Sequence, residues 1–412
     1  MKIRIKKTIF KNLDLNSIVY IILFVAIMYS GSTFISNYTM ELVCVLAMLM
    51  FFCIKIKGIK NNAYINKNEV LVFILMIAII TLFFYQLKFS YDKRVTFTFI
   101  LRFQAFTLFL LFLPSFDLSL KIIKVMKMYS YPVAFSILIT TILNGTKSGG
   151  LVGSYQFSGM MMSISFIIFL IDYYSEKNIM NLFGVILTAI TLLTSGKRSF
   201  TALVFISYII IYLLYKNKRN NIKFLKLTSF LTIGLILAYL CVPAVRLVVE
   251  RVQEYSGDTT YNGRLYYWLV AFKIFSLNKF FGIGMGCFSR YFDHYFHRTG
   301  NLEAYDAHNV YIQLLAETGI IGEVLFVSLF LICLIKTLAL LRKNIIKNDL
   351  NCKKILSYSL LLQIWFICYC MTGNPLYGAN QSFFYFSAIA MMFSLKIYIK
   401  RRKLEYEKDK FY

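Results

Sequence analysis

Apolar stretches long enough to cross a bilayer recur from one end of this 412-residue chain to the other. A spanning helix needs about 20 mostly apolar residues. Candidate spans lie at 17–36, 39–54, 69–87, 95–113, 131–144, 158–174, 179–194, 199–215, 227–245, 308–336, 355–372 and 381–399. In hydrocarbon every backbone N–H and C=O must find its partner within the protein, and a helix achieves this segment by segment. The expectation is an all-α, polytopic membrane protein with about twelve transmembrane helices. Composition agrees: charged residues make up 16% of the chain, where a soluble domain carries about a quarter. The basic N-terminus, Lys2 to Lys7, precedes an apolar run too long for a signal peptide, so 17–36 reads as an uncleaved first span.

The basic residues orient the spans. Lys55, Lys57, Lys60 and Lys67, then Lys121, Lys124 and Lys127, then Lys216, Lys218 and Arg219, then Arg342, Lys343, Lys353 and Lys354 fall in alternate connections, and Lys400, Arg401 and Arg402 load the tail. The positive-inside rule makes these connections and both termini cytoplasmic, and it accounts for most of the net charge of +26. Three parts follow: spans 1–9 over residues 1–245, an external loop with an amphipathic helix over 246–307, and spans 10–12 with a basic tail over 308–412. Residues 114–130, with Lys121, Lys124 and Lys127 between apolar positions, read as an interfacial helix on the inner leaflet. Cys287 alone falls in the outer loop, so no disulfide is expected there.

The outer loop concentrates the chemistry. His294, His297 and His308, the chain's three histidines, lie in it or at its end. Arg264, Arg290 and Arg298 accompany them, so the first hypothesis is a basic site facing an anionic substrate. Tyr261 to Trp268 opens a helical run, with Leu265, Trp268, Leu269 and Phe272 on one face. Gly282, Gly284 and Gly286 then mark a tight turn, which a phosphate-cradling nest would also use. His308 stands at the mouth of the tenth span. Asn309, Gln313 and Glu317 follow at four-residue spacing and form a polar stripe, which must face a cavity or a neighbouring helix. For Gln313 that stripe is read as interhelical hydrogen bonding. Lys197 and Arg198, in the turn between spans seven and eight, break the positive-inside trend on the outer side. Arg102 lies inside span four, and either serves a site or snorkels to the headgroups.

Four motifs occur in a fixed order: Ser195-Gly196-Lys197-Arg198, Asn262-Gly263-Arg264 with Trp268, Phe281-Gly282-Ile283-Gly284, and His308-Asn309 through Glu317-Thr318-Gly319. Together with the large outer loop between spans nine and ten, they resemble the O-antigen polymerase and O-antigen ligase superfamily over about residues 179–335. The resemblance implies a glycosyltransferase of the bacterial cytoplasmic membrane, working at its external face on a polyprenyl-pyrophosphate-linked oligosaccharide, without a cofactor or metal. It implies that Arg198 and Arg264 hold the pyrophosphate and that His308 is general base or orients the acceptor hydroxyl. The chemistry fits: cleavage at an anomeric carbon builds negative charge on the leaving phosphate, which arginine forks stabilise, and neutral imidazole suits proton removal from a hydroxyl. A single displacement inverts the anomeric configuration.

Arg102, Lys197, Asn309, Glu317, Arg290, Arg298, Tyr261 and Trp268 complete the expected substrate-binding set. Beyond the lipid-linked donor and acceptor, the expected partners are membrane lipid, a flippase and a chain-length regulator, with no nucleic acid. The reading adopted is a repeat-unit polymerase for a capsular, exopolysaccharide or O-antigen chain. Three rivals stand beside it: a ligase using the same constellation, a flippase, and a metal site built from His294 and His297 with Asp293, Asp306 and His308.

Overall fold

A computed structural model describes residues 69–409 apart from 113–115, 145–148, 153, 177, 196, 217, 242–258, 296–305, 344–345 and 347. The spans expected at 17–36 and 39–54, and His297 and Arg298, lie outside the described residues. Helices α1 (Val70–Gln86), α2 (Lys93–Phe112), α3 (Phe116–Asn144), α4 (Tyr155–Ser175), α5 (Ile179–Thr194) and α6 (Arg198–Tyr215) come first. Helices α7 (Lys218–Cys241), α8 (Thr259–Leu277), α9 (Phe288–Tyr295), α10 (Val310–Leu340), α11 (Leu350–Tyr369) and α12 (Ala379–Asp409) follow. Among the described residues α2, α3, α4, α6, α10 and α12 are long and apolar enough to cross a membrane, and α1 and α5 are shorter apolar helices.

Helix α4 is the hub. It is buried along nearly all its apolar length and packs against α3, α5, α6 and α11. Met160, Ile164, Ile167 and Ile171 recur at helical spacing and are fully covered. On the other side α11 and α12 pack together, and α12 reaches α2 and α3. Aromatic rings fill this seam: Phe106 stacks on Phe386 at 4.2 Å, and Phe366 on Tyr385 at 4.6 Å. At one end, buried Asp172 of α4 accepts from Lys127 of α3, from Lys354 (2.7 Å) and from Tyr358 (2.5 Å) of α11. A buried carboxylate needs such partners to remain charged.

Two expectations change. The stretch 114–130 is not a separate interfacial helix: it continues through Pro132 into one helix ending at Asn144. At about 1.5 Å per residue that helix is about 43 Å long, more than the hydrocarbon requires, so its basic first turns and its spanning part belong to one rod. In α8 the face bearing Leu265, Leu269 and Phe272 is exposed, and Tyr267, Val270, Ala271 and Ile274 pack inward instead. An apolar face read from spacing alone does not distinguish a protein neighbour from lipid, because both accept it.

The tenth helix is broken. Gly319 takes φ 65 and ψ −170 inside α10, which strands backbone groups on both sides of it. The glycine-rich turn satisfies them. Ile283 N–H donates to the Ala316 carbonyl (3.2 Å) and Gly284 N–H to that of Glu317 (2.9 Å). In return Ile320 N–H donates to Lys279 (2.9 Å) and Ile321 N–H to Phe280 (3.4 Å). Irregular backbone at this depth is tolerated only where protein covers it. Close approach explains the glycines: a Cβ on Gly319 would lie 2.3 Å from the Phe280 backbone. We expect Gly319→Ala to cost about 1–3 kcal/mol, measured as a lower unfolding midpoint in detergent or nanodiscs.

Candidate active site

The break in α10 and the turn beside it build the floor of the site. Glu317 is fully buried. Its carboxylate accepts from the backbone N–H groups of Gly286 (2.7 Å) and Phe288 (2.9 Å), from the Tyr377 hydroxyl (2.8 Å) and from Gln313 Nε2 (3.2 Å). Phe288 is the first residue of α9, so Glu317 places a negative charge on a helix N-terminus, where the dipole favours it. Gln86, at the end of α1, closes the turn from the other side. Its Nε2 donates to the carbonyls of Phe281 (2.6 Å) and Glu317 (2.9 Å), and its Oε1 accepts from Met285 N–H (3.2 Å).

The glycine-rich turn is therefore an anion nest, but the anion is the protein's own. Gly282, Gly284 and Gly286 all have positive φ, and the amides of residues 282–288 are given to protein acceptors. The phosphate-cradling reading of this turn does not fit that arrangement.

A polar chain leads from the floor to the rim. Gln313 Oε1 accepts from Ala307 N–H (3.0 Å) and from Asn374 (2.8 Å), and Gln313 Nε2 reaches Asp306 (3.4 Å). Asn309 caps α10: its Oδ1 accepts from Tyr311 N–H (3.0 Å) and Ile312 N–H (3.3 Å), the usual arrangement of an N-cap. Trp268 Nε1 donates to the Ala307 carbonyl (2.7 Å) and ties α8 to the same corner.

His308 stands between these anchors, just ahead of α10. Its backbone takes φ 51 and is the one non-glycine residue with positive φ among the described residues. That left-handed conformation is uncommon for a side-chain-bearing residue and must be held by the Trp268 and Asn309 bonds on either side. By surface area His308 is exposed. The surrounding protein nonetheless shields it enough to disfavour imidazolium, and the cations of Arg264 and Lys197 act in the same direction, against Asp306. Its pKa is held below the ordinary histidine value.

That electrostatic coupling brings three separate parts of the sequence together: α8 through Arg264, the α5–α6 turn through Lys197, and the start of α10 through His308. Arg264 Nε is buried and has no acceptor among the described residues. A buried guanidinium N–H without an acceptor calls for an anionic ligand. Phe200, two residues after Arg198, packs on Trp365 (5.8 Å) and Tyr369 (4.8 Å) of α11, which fixes the start of α6 against the bundle. Arg198 itself is exposed at that start.

The remaining expected residues are placed differently. Arg102 is buried, donates from Nη1 to the Tyr377 carbonyl (2.7 Å) and lies 4.5 Å from the Phe99 ring, so it faces protein rather than the headgroups. Arg290 forms an ion pair with Asp92, which also caps α2 through Arg94 N–H (2.9 Å). Tyr261 lies in the first turn of α8, and its side chain falls outside the described residues. Among the described residues no three potential metal ligands come together, and His294 packs beside Tyr91 (5.9 Å). Tyr377, Gln86 and Asn374 were not read from the sequence. A lone glutamine ending an apolar helix and a Pro- and Gly-containing break between the last two spans were the available signals.

Residues 183–327 match the family model described as O-Antigen ligase. This segment, about a third of the chain, runs from α5 into α10 and contains Arg198, Arg264, His308 and Glu317. The match supports the O-antigen polymerase and ligase superfamily. Members of that family are glycan-transferring enzymes that act on lipid-linked oligosaccharides. With its apolar helices, the chain is a multi-pass membrane protein. No curated protein matches the chain significantly.

Proposed function

We propose that this protein polymerises polyprenyl-pyrophosphate-linked oligosaccharide repeat units at the external face of the cytoplasmic membrane. The observation that carries the reading is the electrostatic influence of Arg264 and Lys197 on His308, with the buried Arg264 Nε–H having no acceptor among the described residues. Cations beside a base held neutral are what transfer from a pyrophosphate leaving group to a hydroxyl requires.

The growing glycan on its pyrophosphate carrier is the donor. The hydroxyl of the incoming lipid-linked unit attacks the anomeric carbon from the face opposite the pyrophosphate. The new glycosidic C–O bond forms as the bond to the phosphate oxygen breaks, and configuration inverts. His308 takes the hydroxyl proton, and the carrier pyrophosphate leaves with the bonding electrons. Arg264 and Arg198 meet the charge that develops on the leaving oxygen, and preformed donors of this kind need no reorganisation at the moment of reaction. Guanidinium suits the task because its fork matches two phosphate oxygens.

The family description favours a second reading, transfer of the finished glycan to a lipid or protein acceptor. Incubation of the purified protein with a single lipid-linked repeat unit in chelator-treated buffer separates the two. A ladder spaced by one repeat unit supports polymerisation. Unchanged substrate that is consumed only when a different acceptor is added supports ligation. Unchanged substrate with every acceptor and with added divalent metal counts against both.

The base role predicts a pH profile. With its pKa depressed, His308 is neutral at lower pH than a free imidazole, so the acid limb of kcat/KM should fall below about 6.5. Lys197→Gln removes one cation and should move that limb upward. The folded state also prefers neutral His308, so this residue's contribution to stability is intact above the unfolded value and is lost as pH falls from about 6.5 through the lower folded value. A limb that does not move in Lys197→Gln would argue that His308 is not the titrating base.

A further inference from the structure

The bundle carries a second polar recess at the end remote from His308. Helix α11 joins the His308 end through the bond from Val310 N–H to the Cys370 carbonyl (2.8 Å). Seventeen residues separate Cys370 from Lys353 along the chain, which at about 1.5 Å per residue places Lys353 about 25 Å away. There the ends of α4 and α6 and the starts of α7 and α11 surround a cavity of about 340 Å³, lined by Tyr174, Tyr215, Lys216, Asn220, Asn348 and Lys353.

The lining is cationic and polar, and no carboxylate belongs to it. Lys353 Nζ lies 4.4 Å from the Tyr215 ring centroid, so its ammonium is held in position by a cation–π contact. The wall is fixed too. Buried Asn220 donates to the Tyr215 carbonyl (2.6 Å), and the Tyr215 hydroxyl pairs with Ser357 (3.2 Å). The nearby acids are already engaged: Lys354 bridges Asp172 (2.7 Å) and Glu176 (2.5 Å) behind the recess. Among the described residues no carboxylate is paired with Lys216 or Lys353. The N-termini of α7 and α11 add positive partial charge, and the C-termini of α4 and α6 offset part of it.

We propose that this recess binds a phosphate-bearing anion, the headgroup of an anionic phospholipid. It lies where the spans α4 and α6 end, at the depth where headgroups lie. Its size admits a phosphate with a small polar substituent, and exposed Asn348 offers hydrogen bonds to one.

The test is native mass spectrometry of the full-length protein released from phosphatidylglycerol nanodiscs, and from phosphatidylcholine nanodiscs with inorganic phosphate added. Wild-type protein should retain one phosphatidylglycerol. Retention should weaken about 30-fold in the K216Q/K353Q double variant, given the attraction of each lysine to an anionic surface. The K124Q/K400Q double variant, altered at exposed lysines elsewhere, should retain lipid like wild type. K216R/K353R should also retain it. Phosphate retained from phosphatidylcholine discs, and lost in K216Q/K353Q, would support the same anion chemistry with a soluble source. Equal retention by wild type and K216Q/K353Q, or no retained anion in either medium, overturns the proposal.

Discussion

Replacing His308 with alanine should lower the rate of glycan transfer by about 10²–10⁴-fold, the usual contribution of a positioned general base, while leaving the unfolding midpoint nearly unchanged. Two features of the structure lead to this expectation. The side chain is exposed, so truncation opens no buried cavity. Its pKa is held below the ordinary value by shielding and by Arg264 and Lys197, so it is the neutral, proton-accepting form that is lost. The measurement is product formation from a lipid-linked repeat unit, read beside thermal unfolding of the same preparation. Arg264→Ala should give a loss of about 10²–10³-fold. Arg264→Lys should recover only part of it, because an ammonium cannot reproduce the fork. Full activity in His308→Ala would remove the proposed base from the mechanism.

Glu317→Ala should fail in the other direction, with the fold giving way before the chemistry. The truncation strands the amides of Gly286 and Phe288, the Tyr377 hydroxyl and the Gln313 amide, all of which point at the carboxylate. Hydrogen bonds to a charged group are worth about 1.5–3 kcal/mol each, and a buried donor left alone pays its full desolvation cost. Even without additivity the loss should exceed about 4 kcal/mol, the range reserved for broken buried networks. Glu317→Gln should be milder: its carbonyl oxygen still accepts, but its NH₂ meets a backbone donor. The check is the yield of folded protein and its unfolding midpoint. If Glu317 instead bound substrate directly, the alanine variant would keep its midpoint and raise KM.

These two residues show what the sequence could and could not disclose. Helices at the expected spans from 69 to the tail were legible from their apolar runs, but among the described residues six are long and apolar enough to cross a membrane; 69–87 and 179–194 fall on the shorter α1 and α5, and 227–245 and 355–372 fall on α7 and α11, which are not among the six. Gln313 was legible as a bundle-holding group, since a buried amide in an apolar helix must find partners. Glu317, Asn309 and Arg290 share residue types with a sugar or phosphate site, and type alone could not separate contact with a ligand from a helix cap, an ion pair or a nest filler. The structure gives three of the expected site residues protein partners distant in sequence, Gly286 and Tyr377 for Glu317, Asp92 for Arg290 and Tyr377 for Arg102, while Asn309 caps its own helix. Local spacing carries no information about such pairs. The resemblance groups Arg198, Arg264 and His308, whereas the charges that act on His308 are those of Arg264, Asp306 and Lys197, and nothing in the spacing of these separate connections discloses that.

The exchange of hydrogen bonds between the glycine-rich turn and the broken α10 also bears on how readily the sequence between α9 and α10 can diverge. Residues 279–284 are bonded to 316–321, and Trp268 fixes Ala307. The stretch between α9 and Asp306 thus leaves from and returns to points that the rest of the fold already holds. Closing a loop between fixed ends costs only about 0.6 kcal/mol more for each doubling of its length. Insertions and exchanges there should be tolerated energetically, while single-atom changes at Gly282, Gly319 or Glu317 are not. A scaffold divided in this way can trade recognition segments between relatives without rebuilding the corner where His308 and Arg264 meet.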